Sequence, residues 1–163
     1  MIVLGVDPGT ATTGYGVIEY KNNLFEVLDF GLIETSKDGQ SGERLISINK
    51  NIDRLLKEIK PDVVAIEKLF FARNAKTAMN VGQAIGVINY TVAKAKIKMV
   101  EYAPGTIKKI ITGSGKADKK MIQRSLRQQL GSKVKSQAHR KTHFDNAADA
   151  LAVALCFFIC NKC

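Results

Sequence analysis

The chain is poor in the residues that build disulfides and soft-metal sites. Of its 163 residues two are His and three are Cys, and the three Cys (Cys156, Cys160 and Cys163) crowd the C-terminal end. An odd, clustered set of thiols makes no disulfide framework. With no His or Cys cluster elsewhere to complete a tetrahedral site, ligand count speaks against zinc, and the Cys read as small buried hydrophobes. Acids are scarce as well: 15 Asp and Glu face 25 Lys and Arg, a net charge of +10 and a sequence pI of about 9.6. That balance favours a polyanionic partner, nucleic acid ahead of a membrane surface. Membrane-spanning length is never reached without charge, and MIVLGVDPGT lacks the basic and apolar regions of a secretion signal, so a cytoplasmic protein with no membrane partner is expected. No internal repeat or low-complexity tract occurs. GSGKADKK lacks the GxxxxGK[ST] spacing of a phosphate loop, which removes nucleotide binding there.

The length is that of one domain, 1–163, enough to bury a full core. IVLGV (2–6) is a short apolar run, and GYGVIEY and LFEVLDFGLIET alternate around the turn-like KNN, which predicts three successive strands. Leu45, Ile48, Ile52, Leu55 and Ile59 share one helical face that ends before Pro61. VVAIE (63–67) reads as a buried strand, 75–95 as a helix, KMVEYA (98–103) as a fifth strand, and 105–112, 117–130 and 145–160 as helices. SKVKSQAHRKTHF, after Gly131, has no apolar periodicity and reads as a mobile basic loop. The expected fold class is α/β, a five-stranded mixed sheet with an antiparallel half, a parallel half and helices on both faces. Basic residues concentrate in the second half: from Lys94 to Lys141 fourteen Lys and Arg face only Glu101 and Asp118.

Three acids carry the chemistry. Asp7 ends the first strand before a Pro-Gly turn, Glu67 ends the fourth strand, and Asp149 sits among alanines and leucines on the last helix. Singly, each has a plain structural role: a turn residue, a strand-end acid, a polar group satisfied by backbone. Jointly, two strand-end acids and one helix acid can converge at one edge of the sheet. Converging carboxylates repel unless cations hold them, and hard oxygen ligands without His or Cys suit Mg²⁺ or Mn²⁺. Two such ions clamp the attacking and leaving oxygens of a phosphodiester.

The stretches GVDPGTATTGYGVIE, AIEKLFFARNAKTAMNVGQAIGVI, EYAPGTIKKIITGSGKADKKMI and DNAADALAVAL, in this order and over nearly the whole chain, resemble the RuvC family of Holliday junction resolvases. The resemblance implies an RNase H-like fold and a Mg²⁺-dependent endodeoxyribonuclease that cuts four-way DNA junctions in recombination and repair. It also implies a homodimer, with RuvA and RuvB as branch-migration partners. In that family four acids bind two Mg²⁺; Asp7, Glu67 and Asp149 match the first, second and last. The position three residues before the final acid usually holds an Asp, in some members a His, and here holds Asn146. Asn keeps one carbonyl oxygen but loses the charge and the second ligand oxygen. Two readings stay open: an aspartate replaced to inactivate the chain, or a natural variant that uses Asn146 directly.

Phe70 and Phe71 follow Glu67 in EKLFFARN; they are either core or a ring that stacks on an unpaired base, as the aromatic matching Phe70 does in the resembled family. Arg73 and Asn74 are then placed to touch phosphate or base edges. Lys108 and Lys119 match basic residues used near the scissile phosphate, Lys109 and Lys120 are close substitutes, and Lys116 adds to the same basic face. Ala78, Gly82 and Gly86 recur every four residues and permit close approach of another helix, from its own sheet or from a two-fold partner. Alternative classes are a YqgF-type nuclease acting on single strands, the actin and hexokinase superfamily, which needs two such domains where this chain has one, and a non-catalytic junction-binding protein.

Overall fold

A computed structural model of the chain describes residues 1–36, 39–68, 75–131 and 141–161, with the backbone alone at 141–146. Its elements run β1 (Ile2–Asp7), β2 (Thr12–Lys21), β3 (Leu24–Glu34), α1 (Ser41–Ile59), β4 (Val63–Glu67), α2 (Ala75–Lys94), β5 (Lys98–Tyr102), α3 (Pro104–Thr112), α4 (Lys119–Leu130) and α5 (Lys141–Cys160). The five strands form one sheet in the order β3-β2-β1-β4-β5. β1–β2 and β2–β3 are antiparallel, β1–β4 and β4–β5 parallel, the mixed sheet expected from the pattern.

Strand alternation divides the core between two faces. Leu4, Val6, Val17, Ile33, Val64 and Ile66 pack against α1 and α2 through Ile48, Ile52, Leu55, Ala84, Ile88 and Val92. Val3, Ile18, Phe30, Val63 and Ala65 face α3, α4 and α5 on the other side. From Ala147 to Phe158 every residue of α5 is buried except Asp149, which is partly buried. A helix enclosed on all sides is apolar all round, which is why its sequence shows so little polar punctuation.

Local signals set the ends. Glu43 Oε2 accepts from the Gln40 N–H at 2.9 Å to open α1, and Lys60, at φ 51°, closes it before Pro61. Asp118 Oδ1 accepts from the Met121 N–H at 2.8 Å, so α4 starts at Lys119 and not at the expected 117; Ala117 is instead a buried residue ahead of the cap. The last helix begins at Lys141, four residues before the expected start, inside the segment read as loop. Lys141, Thr142 and His143 lack apolar periodicity, so the backbone carries the helix where side-chain pattern does not announce it. The rest of that segment, 132–140, lies outside the described residues, as do Phe70, Phe71, Arg73 and Asn74. Among the described residues no helix is long and apolar enough to cross a membrane.

Candidate active site

Asp7 closes β1 and Glu67 closes β4. The parallel register pairs Val6 with Ile66, so one further step brings the two acids side by side at neighbouring strand ends. Alternation places both on the face that carries Val3, Val63 and Ala65, under α5.

Asp149 reaches them because α5 lies very close to the sheet. Gly5 and Gly16 are cross-strand partners on β1 and β2. A Cβ on Gly5 would stand 2.1 Å from the Ala150 carbonyl oxygen and 2.7 Å from the Ala154 nitrogen. One on Gly16 would stand 2.7 Å from Leu151 Cδ2 and 2.9 Å from the Leu151 nitrogen. Only strands without side chains at these two positions admit the helix backbone, and the helix carries Asp149 to the strand ends.

Asp7, Glu67 and Asp149 thus line one cavity of about 330 Å³, together with Lys108 of α3 and Lys119 of α4. Ile107, Ile122 and Ala152 supply apolar wall. Burial pushes the Asp7 carboxyl up to about 6, helped by repulsion from Asp149 and opposed by Lys119. Glu67 is pushed up to about 7, by burial first and then by the charges of Asp7 and Asp149, against the pull of Lys108. Asp149 is also raised by burial, with Lys119 and Lys108 acting the other way. Three acids held this close, in a partly desolvated cavity, form a site short of positive charge, which two lysines offset only in part.

The donor set suits a hard divalent cation: carboxylate oxygens with no thiol or imidazole among the lining residues. Among the described residues no group of three His, Cys, Asp or Glu is closed up tightly enough to hold an ion. Asn146 lies on α5 three residues before Asp149, and its side chain falls outside the described residues. Lys109, Lys116 and Lys120 are exposed and do not line the cavity. Lys109 and Lys120 each follow a cavity lysine by one residue, about 100° around the helix, so nearness along the chain is not nearness to the acids.

A larger cavity, about 600 Å³, lies at the opposite end of the parallel strands between the C-terminal parts of α1 and α2. Its acid, Asp53, is already paired with Lys57 at 2.6 Å, so it gathers no comparable set of acids. Sequence reasoning passed over two features near the acid site. One is the Gly5–Gly16 pair, whose signal was two glycines at inward strand positions opposite an alanine-rich helix. The other is Thr13, a hydroxyl at a buried strand position beside the Pro-Gly turn.

A family model described as crossover junction endodeoxyribonuclease RuvC matches residues 3–157. The RuvC of Petrotoga mobilis is 43% identical over 156 residues, which cover 96% of this chain and 92% of that protein. The structure of Thermus thermophilus RuvC superimposes with a TM-score of 0.84 at 32% identity, covering 99% of this chain and 96% of that one. The same T. thermophilus protein in complex with Holliday junction substrate gives 0.85 at 26% identity, with the same coverage. With its strand order, its convergent acids and a match along almost its full length, this chain belongs to the RuvC family of crossover junction endodeoxyribonucleases.

Proposed function

We propose that this chain is a single RNase H-like nuclease domain that resolves four-way DNA junctions by two symmetric, metal-dependent nicks. One observation carries the reading: three carboxylates from separate elements and two lysines meet in one cavity of a chain with net charge +10. Asp7, Glu67, Asp149 and Asn146 would hold two Mg²⁺, with Mn²⁺ as a substitute. Bound there, the ions supply positive charge that activates water and steadies the leaving oxygen of an in-line phosphodiester displacement.

The chain's own groups do the rest. Lys108 and Lys119 hold the scissile phosphate over the acids and offset charge as it develops. Lys109, Lys116 and Lys120, exposed in the chain's basic half, hold backbone phosphates farther out. Phe70 stacks on a base exposed at the junction point, and Phe71, Arg73 and Asn74 also contact the DNA. On α2, Met79 (68% exposed), Gly82, Gly86 and Tyr90 (63% exposed) form one stripe, and a Cβ on either glycine would meet open space. Such a face suits a two-fold partner helix, and two-fold symmetry suits two nicks in a symmetric junction. RuvA and RuvB are the partners the family suggests for delivering the junction.

The deciding assay is cleavage of a mobile four-way junction against linear duplex, with Mg²⁺ and with Mn²⁺, for the chain as it stands and for Asn146→Asp. Junction-selective nicking by either protein supports the reading, and its absence from both refutes it. The amide at position 146 favours one second reading, a junction-binding protein that does not cut. Tight junction binding with no cleavage in either protein would establish that reading instead.

A further inference from the structure

Asp7 is the first of the acids, yet among the described residues no hydrogen bond holds its carboxylate in place. The backbone that carries it is β1, paired on both sides in the sheet, followed by the turn from Pro8 to Ala11. That turn is gripped from two directions. Thr13, wholly buried at the start of β2, donates its hydroxyl to the Gly9 carbonyl at 2.7 Å, and its Oγ1 accepts from the Gly9 N–H at 3.4 Å. From the end of β3, the Thr35 hydroxyl donates to the Thr10 carbonyl at 2.7 Å, while the Thr35 N–H donates to the Ala11 carbonyl at 3.0 Å. The turn also admits no side chain at Gly9, because a Cβ there would stand 2.3 Å from the Thr12 carbonyl oxygen.

We infer that Thr13 is a positioning residue for the proposed metal ligand Asp7, its hydroxyl latching both backbone groups of Gly9 so that the acid stays aimed into the cavity. The inference rests on the reading of Asp7 as a ligand. Residues that orient a ligand typically change metal affinity or activity by about 10-fold to 100-fold when replaced. The latch is short-range and specific to a hydroxyl. A valine of the same shape leaves the half-buried Gly9 N–H and carbonyl without their side-chain partner, which frees the turn that follows Asp7.

The test compares Thr13→Val with Thr13→Ser. Mn²⁺ alone is titrated against the melting temperature of each protein, and kcat and KM on a four-way junction are measured in the Asn146→Asp background. The expected result for Thr13→Val is a half-protecting Mn²⁺ concentration raised about tenfold and a kcat lowered about tenfold or more with KM little changed, with Thr13→Ser close to the parent. A Thr13→Val protein that melts lower yet keeps the parent's Mn²⁺ midpoint and kcat overturns the inference, leaving Thr13 a structural residue only. If Thr13→Val does not fold, Thr13→Ala removes the same hydroxyl with less bulk: a raised Mn²⁺ midpoint there upholds the latch and an unchanged one overturns it. A parent that Mn²⁺ does not protect at all overturns the reading of Asp7 itself, and the inference with it. That outcome is distinct from a protected parent with an equally protected valine variant.

Discussion

Asp7→Asn should make the cation-free protein more stable while abolishing junction cleavage in the Asn146→Asp background. Burial and the charge of Asp149 raise the Asp7 carboxyl from 3.8 to about 6, so ionising it in the folded chain is harder than in the unfolded one. A gap of about 2 units at about 1.4 kcal/mol per unit is roughly 3 kcal/mol, and water in the open cavity reduces it to about 2. The folded chain holds its proton from about pH 4 to about pH 6 while the unfolded chain has lost it, so stability falls as pH rises through that window. Below about pH 4 both states are protonated and the penalty is absent. Asn is nearly isosteric and carries no charge, so the variant escapes the penalty and also eases the ionisation of Glu67, which Asp7 opposes. In EDTA at about pH 8 the variant should melt about 4 to 8 °C above the parent, and the two should converge near pH 4. Melting curves across pH, with and without Mg²⁺, read the effect, and Mg²⁺ should raise the parent far more than the variant. A variant no more stable than the parent at high pH, or a difference that does not change with pH, would refute the argument.

Gly5→Ala should cost upwards of about 3 kcal/mol in denaturant unfolding, because the new Cβ meets α5 backbone atoms, which cannot rotate away as a side chain can. Lys119→Ala should slow junction cleavage by about 10²-fold with a much smaller loss of binding, since it removes charge beside the reacting phosphate; equal losses of both would point to a binding role alone. Phe70→Ala should slow cleavage of a mobile junction far more than it weakens binding, whereas a core Phe70 would instead show as about 3 to 5 kcal/mol of lost stability. Junction affinity should fall steeply with salt, log K losing about 0.9 per phosphate contact for each unit of log salt; a flat salt dependence in gel-shift titrations would remove the basic half from the interface.

Much of the architecture was written in local pattern. A short apolar run marked β1, alternating runs around a turn marked β2 and β3, and a single apolar face marked α1. The acids stood at two strand ends and on an apolar helix, positions that a single converging site brings together. These signals are legible because each arises between near neighbours: alternation, helical spacing and a Pro after a helix need no knowledge of the rest of the chain. The start of α5 was not legible, since polar residues at 141–143 carry no period, nor was the cap that delays α4 to Lys119.

The sequence by itself determined which residue types were available, a set of hard oxygen ligands in a strongly basic chain, and the order of strands and helices that could bring them together. Only the tertiary structure decided how near they come. Gly5 and Gly16 meet only once β1 and β2 pair, and α5 descends only onto the gap they leave. The same packing selects Lys108 and Lys119 over their neighbours and lifts Asp7 and Glu67 toward neutral pH, because desolvation and repulsion depend on distances between residues far apart in the chain. Thr13 reads in sequence as one more strand threonine. Its grip on Gly9 exists because the fold buries it beside the turn that follows β1.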